Sequence, residues 1–286
     1  MNSSQGVPLV AVVVPIYNRI VITREFLKEF EGVSYPSYKM IVVDDGSPDG
    51  SADIIAREFP WVDLIRTSGD LWWTRATNIG VTRALETNAE FVLTINDDVS
   101  FEKDFLSHLV SRALTNPGTL VGSCIFDYDD HRRIWYAGGR ISYLQGELFH
   151  RRHARHRKLR WLTGMGVLIP AGVFRTIGLY DETRFPHYFA DADLSLRAHR
   201  AGFKLAIEER SIVYNRIRES ADETIRRRAT LRTFFTPLFT IRSVAYFPTR
   251  LQIYGQHWPF LLKPIGLIMY YVRFFAKRML RLLRLR

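Results

Sequence analysis

Cysteine is all but missing from this chain. Cys124 stands alone, so neither an intrachain disulfide nor a cysteine-built zinc site is available, and a reducing compartment is the expected setting. No apolar run reaches the ~20 uncharged residues of a transmembrane helix. Val7–Tyr17 is apolar, but Pro8 and Pro15 interrupt it and no charged leader precedes it, so it reads as a buried strand and not as a signal peptide. No repeat with a period of 20–50 residues is present, which sets aside solenoids and propellers. Acid is missing altogether from residues 224–286, which carry 13 Lys/Arg and no Asp or Glu. What remains is the composition of an ordinary folded protein. With 286 residues, 47% hydrophobic and 24% charged, the chain can bury a large core in one or two domains, and disorder and collagen-like structure are excluded.

The net charge of +11 belongs wholly to the C-terminal part, because residues 1–223 hold 27 basic and 29 acidic residues. That asymmetry divides the chain into a near-neutral body, 1–223, and a basic, aromatic tail, 224–286. On a helix, Arg273, Lys277, Arg281 and Arg284 share one face, with Phe275, Met279, Leu282 and Leu283 opposite. Such a tail suits the surface of an anionic bilayer, each basic residue contributing about 1 kcal/mol near the surface. Arg273, Lys277, Arg278 and Arg281 interrupt it too often for a membrane span. Nucleic acid is set aside as a partner, since no recognised binding module accompanies the charge. The expectation is a protein attached peripherally to the cytoplasmic face of the cell membrane.

The body alternates between β-branched runs and helical patterns. Strands are expected at Val10–Val14, Lys39–Val43, Val62–Ile65, Phe91–Ile95, Leu120–Phe126 and Val167–Ile169. Helices are expected over about Ile20–Glu31, Ser51–Phe59, Thr74–Thr87, Phe101–Leu114 and Asp191–Ala201. This alternation predicts an α/β fold with a mainly parallel sheet covered by helices on both faces. Between Asp127 and Arg160 the pattern loosens, and a basic run from Arg151 to Arg160 reads as a solvated loop.

Ligands of such sheets bind beyond the carboxyl ends of the strands. Asp44-Asp45-Gly46-Ser47 and Asn96-Asp97-Asp98 each follow a strand directly, so both acid clusters should face one crevice. Paired carboxylates at a strand end suit Mg²⁺ or Mn²⁺, hard cations that prefer oxygen and that would neutralise a diphosphate leaving group.

The order of motifs resembles the inverting glycosyltransferases of family 2. The matching residues are Val14-Pro15-Ile16-Tyr17-Asn18-Arg19, Val42-Val43-Asp44-Asp45-Gly46-Ser47, and Leu71-Trp72-Trp73-Thr74 with Asn78 and Gly80. They continue through Asn96-Asp97-Asp98 and Trp161-Leu162-Thr163-Gly164 to Tyr188-Phe189-Ala190-Asp191-Ala192-Asp193-Leu194 with Arg197. The resemblance covers about residues 8–215. Its Trp-Trp segment and the His187-Tyr188 form of the last motif are similar to a bacterial branch that builds surface polysaccharides, rhamnosyltransferases among them.

The resemblance implies a GT-A type, nucleotide-binding αβα sandwich followed by a C-terminal amphipathic helical segment. It implies an enzyme that moves a sugar, such as rhamnose from dTDP-rhamnose, from a nucleotide diphosphate-sugar to a saccharide or lipid-linked acceptor. A UDP-hexose donor at the same site, or a scaffold with a decayed site, are the alternatives. Donor binding falls to Pro15, Tyr17, Asn18, Arg19, Asp44, Asp45, Trp72, Trp73, Asn78, Asn96 and Asp97, with Tyr17 offering a ring to the base. Asp98 would hold Mn²⁺ or Mg²⁺, and Asp191 would be the catalytic base. Trp161, His187 and Tyr188 would face the acceptor. The sequence departs from the family pattern at Asn96 and Ala190, which replace acids. Val213-Tyr214-Asn215 also offers no His where many members present a metal ligand. A homo-oligomer is compatible with all of this.

Overall fold

The computed structural model describes residues 6–152, 159–216 and 233–284. Residues 153–158 of the basic loop and the composition boundary near residue 224 lie outside them. The frame is a nine-stranded sheet in the order β3-β2-β1-β4-β10-β6-β11-β5, with β7 paired to β6. Its strands are β1 (Val10–Ile16), β2 (Tyr38–Asp44), β3 (Asp63–Arg66), β4 (Phe91–Thr94), β5 (Val99–Phe101), β6 (Thr119–Asp127), β7 (Asp130–Tyr136), β10 (Val167–Pro170) and β11 (Lys204–Asn215). A separate hairpin joins β8 (Gly139–Ser142) to β9 (Glu147–His150). Strands β1, β2, β3, β4, β6 and β11 run one way, and β5, β7 and β10 run against them. The fold is the expected α/β GT-A type, its sheet mostly parallel.

Central strands buried on both faces need continuous apolar sequence, and β1, VAVVVPI, is buried throughout. Successive side chains of a strand point to opposite faces, and they divide the core in two. Val10, Val12, Val14, Met40, Val42 and Leu93 pack on one side of the sheet. Ala11, Val13, Ile41, Val43 and Val92 pack on the other.

Helix α1 (Ile20–Phe30) covers the first face with Thr23, Phe26, Leu27 and Phe30, an i, i+3, i+4, i+7 stripe. The other helices are α2 (Ser51–Glu58), α3 (Trp72–Glu86), α4 (Phe105–Thr115), α5 (Ala171–Ile177) and α6 (Ala190–Arg200). Helix α3 lies so close to the sheet that a β-carbon on Gly80 would overlap Val13 Cγ1.

Three local readings of the sequence change in the structure. Phe101 ends a short strand paired to Val213 and does not start a helix. Its ring joins Phe26, Phe30 and Phe105 in an edge-packed cluster, and its N–H donates to Glu29 Oε1 at 3.0 Å. The loosely patterned 127–160 stretch contains β7, β8 and β9. Residues 204–215 form the long strand β11, whose charged middle coincides with a shift of register between Glu208 and Ile212.

The C-terminal part packs against the body. It contains α7 (Phe247–His257) and the 22-residue α8 (Lys263–Arg284). Ala245, Ile253, Tyr254, Trp258 and Tyr270 belong to the same buried cluster as β1 and α6. Tyr254 donates its hydroxyl to the Gly146 carbonyl, Trp258 Nε1 donates to the Tyr143 carbonyl at 3.0 Å, and Arg273 pairs with Glu147 at 2.6 Å. The β8–β9 hairpin is thereby clasped to α7 and α8.

Arg250 is 4% exposed. Its guanidinium sits 4.5 Å from the Phe189 ring centre and 3.6 Å from that of Tyr270, and its Nε donates to the Val244 carbonyl. A desolvated cation held between two rings is worth about 2 kcal/mol or more. Arg250→Ala should therefore lower the unfolding free energy by at least about 2 kcal/mol in urea titration. An unchanged midpoint would mean that the C-terminal helices contribute nothing to the stability of the body.

Candidate active site

Six connections meet at one end of the sheet. The loops after β1, β2, β3 and β4 arrive there because those strands are parallel. The segment before β10 arrives there because β10 is antiparallel: Val167 pairs with Thr94, and Gly166 donates its N–H to the Thr94 carbonyl at 2.9 Å. The turn before α6 completes the set. Of the five non-glycine residues with positive φ among the described residues, Asn18, Asp70, Trp72 and Phe189 lie in these connections and Asn88 does not. Such conformations cost on the order of 1–3 kcal/mol each and persist where the surroundings over-determine them.

The acids of the crevice have different tasks. Asp44 Oδ1 accepts hydrogen bonds from the Ser47 N–H and hydroxyl, and Ser47 Oγ in turn accepts the N–H of Asn18 at 2.8 Å. Asp45 accepts the N–H groups of Leu71 at 3.0 Å and Trp72 at 3.1 Å, so it secures the strained entry to α3. Burial raises the Asp45 carboxyl above its usual range, against those two hydrogen bonds. Gly46 allows this arrangement: a β-carbon there would sit 2.7 Å from Gly69 N. Tyr17, 48% exposed, presents its ring at the rim, whereas Pro15 is buried within β1 opposite Val43.

Arg19 spans the second acid cluster. Its Nε lies 3.1 Å from Asp97 Oδ1, and its Nη1 donates to Asp98 Oδ2 at 2.8 Å. Asp97 is fully buried and takes the Thr23 hydroxyl at 2.7 Å. Desolvation pushes its carboxyl up to about 6; the Arg19 charge opposes this and the neighbouring Asp98 adds to it. Asp98 keeps one oxygen, Oδ1, that is buried and has no hydrogen-bond partner among the described residues. An orphaned carboxylate oxygen fits a hard divalent cation. Among the described residues no group of three or more His, Cys, Asp or Glu could hold a metal. Asn215 falls opposite Val99, the residue after Asp98. Among the described residues, Asp98 Oδ1 is thus a carboxylate oxygen that such an ion could take.

Trp73 connects the acids to the candidate base. Its indole N–H donates to Asn96 Oδ1 at 2.9 Å, and its ring lies so near Gly164 that a β-carbon there would be 2.7 Å from Trp73 Cζ2. Gly164 donates its N–H to Asp191 Oδ2 at 3.0 Å, and the Ala192 N–H donates to Oδ1 at 2.8 Å. Asp191 therefore stands in the first turn of α6 with each oxygen held by a backbone donor and the Thr163 side chain as a further hydrogen-bond partner. Desolvation raises its carboxyl above the usual 3.8, while the Gly164 and Ala192 N–H groups pull the other way. A raised carboxylate held by backbone donors is suited to take a proton.

Two of the expected site residues make contacts within the fold. Trp161 is 6% exposed, and its ring lies over Gly139 beside Tyr136 and His150, packed among them. Asn78 spends its amide on the Tyr180 backbone (2.9 and 3.0 Å) and on Glu182 (2.8 Å), tying α3 to the segment after α5. His187 and Tyr188 lie at the mouth, their rings 4.6 Å apart, with His187 edge-on to Trp72 at 5.6 Å.

Tyr136 is a residue that sequence reasoning missed. Its hydroxyl donates to the Trp161 carbonyl at 2.8 Å and accepts the Thr163 N–H at 3.1 Å, fixing the Thr163-Gly164 segment that holds Asp191. It lies in the irregular stretch, where no motif marked it.

Comparison with known proteins agrees with this geometry. The family model "Glycosyl transferase family 2" matches residues 11–178, more than half of the chain. The curated protein y4gI of Sinorhizobium fredii (strain NBRC 101917 / NGR234), described as uncharacterized, is 27% identical over 218 residues, which is 70% of this chain. The chain spans only 23% of that relative's length.

Among solved structures, the mannosyltransferase PcManGT from Pyrobaculum calidifontis, in complex with GDP-Man and Mn²⁺, has a TM-score of 0.56 at 18% identity, covering 94% of this chain and 74% of that one. GalNAc-T7 with UDP, GalNAc and Mn²⁺ has a TM-score of 0.61 at 14% identity over 74% of this chain and 44% of that one. TarS from S. aureus has a TM-score of 0.57 at 15% identity over 85% of this chain and 42% of that one. At these identities the likeness is one of fold.

The raised Asp191 carboxyl sets a pH dependence. A base must be ionised to accept a proton, so turnover should fall as pH drops through the Asp191 pKa. The acid limb of kcat/KM should accordingly lie above the ordinary carboxylate value of 3.8. Activity that stays flat down to that value would remove Asp191 from the role.

Proposed function

We propose, for a chain that belongs to glycosyltransferase family 2 and is thereby a glycosyltransferase, that it transfers one sugar with inversion from a nucleoside diphosphate-sugar to a saccharide or lipid-linked acceptor. The observation that carries this reading is the Asn96–Trp73–Gly164–Asp191 chain of contacts. It links Asp191 to the Asn96-Asp97-Asp98 turn, where Asp98 Oδ1 has no hydrogen-bond partner among the described residues. Asp191 takes the proton of the acceptor hydroxyl as its oxygen attacks the anomeric carbon, and the bond from that carbon to the diphosphate breaks on the opposite face. Asp98 would hold a Mn²⁺ or Mg²⁺ ion, which when bound neutralises charge on the diphosphate. Arg19, already bound to Asp97 and Asp98, brings a second cation to the same place.

The Trp72-Trp73 segment and the His187–Asp193 motif support dTDP-rhamnose as the first donor to test. The similar structures named above hold GDP-Man or UDP, which makes GDP- and UDP-sugars the second set. Transfer or donor hydrolysis across that panel should single out one donor. Asp191→Asn should retain donor binding while transfer falls roughly 10²–10⁴-fold. Chelation should abolish activity until Mn²⁺ or Mg²⁺ is restored. No turnover with any donor would favour the scaffold reading, and full activity of Asp98→Ala in chelator would remove the metal from the scheme.

Attachment at an anionic membrane surface is the second part of the proposal. No helix among the described residues is long and apolar enough to cross a membrane. Helix α8 exposes Ile265, Ile268, Met269, Val272, Met279, Leu280 and Leu283 along one side, while Arg273 turns inward to Glu147 and Arg278 is buried. An exposed apolar stripe next to exposed Lys277 and Arg281 suits shallow insertion among anionic headgroups. Ile268→Asp with Val272→Asp should release the full chain from phosphatidylserine vesicles in co-sedimentation, and high salt should weaken binding of the parent. Equal sedimentation of the two proteins would refute this stripe as the membrane contact.

A further inference from the structure

Three side chains from distant parts of the sequence meet at the mouth of the site, and the reaction scheme uses none of them. Trp72 begins α3, His187 precedes α6, and Arg242 comes from the segment between β11 and α7. The Arg242 guanidinium carbon lies 5.6 Å from the Trp72 ring centre, and the His187 ring meets the same indole edge-on at 5.6 Å. Among the described residues no carboxylate pairs with Arg242, which is exposed. His187 Nδ1 is buried and has no hydrogen-bond partner among the described residues. Burial first, and then the positive fields of Arg242 and Arg19, pull the His187 imidazole down to about 4, so it is neutral at neutral pH.

These features are individually costly. A buried ring nitrogen without a partner forfeits about 1–3 kcal/mol, and groups left so in a native structure call for an explanation such as a ligand. Trp72 holds a left-handed backbone at φ 59°, secured by the bond from its N–H to Asp45. Its indole meets both the histidine and the arginine. The result is a ring nitrogen able to donate as its Nδ1–H tautomer, an unpaired guanidinium steadied over an aromatic face, and the charge of Arg19 behind them.

We propose that Trp72, His187 and Arg242 form an anion subsite at the rim of the active site that receives a phosphate-type oxyanion. Arg242 supplies charge-assisted hydrogen bonds, His187 Nδ1–H supplies a neutral one, and Trp72 holds the guanidinium in place. The oxyanion is either the diphosphate of the donor or the phosphate of a lipid-linked acceptor. The assignment rests on the transferase reading above and adds to it a residue from the C-terminal segment.

Calorimetric titration of the full chain separates the two sources. The probes are UDP, dTDP and GDP, the corresponding nucleosides without phosphate, and a polyprenyl phosphate in detergent micelles. Arg242→Gln, at an exposed position, is compared with Arg175→Gln, an exposed arginine on α5, after thermal melts establish that both remain folded. Arg242→Gln should weaken the tightest phosphate-bearing probe roughly 10-fold, leave any nucleoside unchanged, and differ from Arg175→Gln, which should bind as the parent does. His187→Phe, which keeps a ring but loses Nδ1, should weaken the same probe. Loss confined to the nucleoside diphosphate assigns the subsite to the donor, and loss confined to the polyprenyl phosphate assigns it to the acceptor. If the parent binds these probes and Arg242→Gln binds them equally well, the subsite is refuted while the transferase reading stands. If the parent binds no nucleoside diphosphate, the transferase reading fails as well.

Discussion

The antiparallel insertion of β10 between β4 and β6 is the constraint on which the site depends. Had β10 run with its neighbours, the residues before it would emerge at the far end of the sheet. Because it is reversed, Val167 lies beside Thr94 and Gly122. The Thr163-Gly164 turn is thereby delivered to the end where β2 and β4 place their acids and β1 places Arg19. Gly164 is small enough to lie against Trp73 and aims its N–H at Asp191. The hydroxyl of Tyr136 holds that turn from behind. One change of strand direction thus joins a carboxylate cluster near residue 97 to a carboxylate at residue 191.

The electrostatics of the crevice come from burial opposed by a few placed donors. Asp97 is removed from water and lies next to the like-charged Asp98, and both disfavour its ionisation. Arg19 answers both with one guanidinium fork, a task that suits arginine better than lysine. The cation comes from the β1–α1 connection and the acids from the end of β4. The parallel pairing of those strands therefore positions charges 78 residues apart. Asp191 follows the same logic with neutral partners, its donors being backbone N–H groups and the Thr163 side chain and not a charge. Desolvation keeps it above the usual carboxylate range.

The C-terminal helices are part of this machinery. Arg250 fills the space between Phe189 and Tyr270, beneath the strained turn that leads into α6. His257 on α7 pairs at 2.8 Å with buried Asp193, which also binds Arg197 at 2.7 Å. Helix α6, which carries Asp191, is therefore braced from the tail side. The tail in turn shows water an apolar stripe and spends Arg250, Arg273 and Arg278 on internal contacts. Its basic composition is only partly surface charge.

Much of this was legible in the chain itself. The unbroken apolar runs Val10–Val14 and Lys39–Val43, and the helical stripe of α1, depend on local periodicity, and they appear where the sequence puts them. The strand-end acids were legible for the same reason, because an acid directly after a parallel strand has one place to go. Strand β11 was hidden, since its Glu-Glu-Arg centre breaks the apolar pattern and only pairing with β6 makes it a strand. Trp161 and Asn78 share motifs with residues of the site, but contacts with Gly139 and with the Tyr180 backbone hold their side chains. Arg242 and Tyr136 carried no local signal at all. Sequence by itself determined the elements and the chemistry at the strand ends, because these follow from neighbours in the chain. Which side chains face one another across the crevice was decided only by the tertiary structure, because strand direction and helix packing bring together residues that the chain keeps far apart.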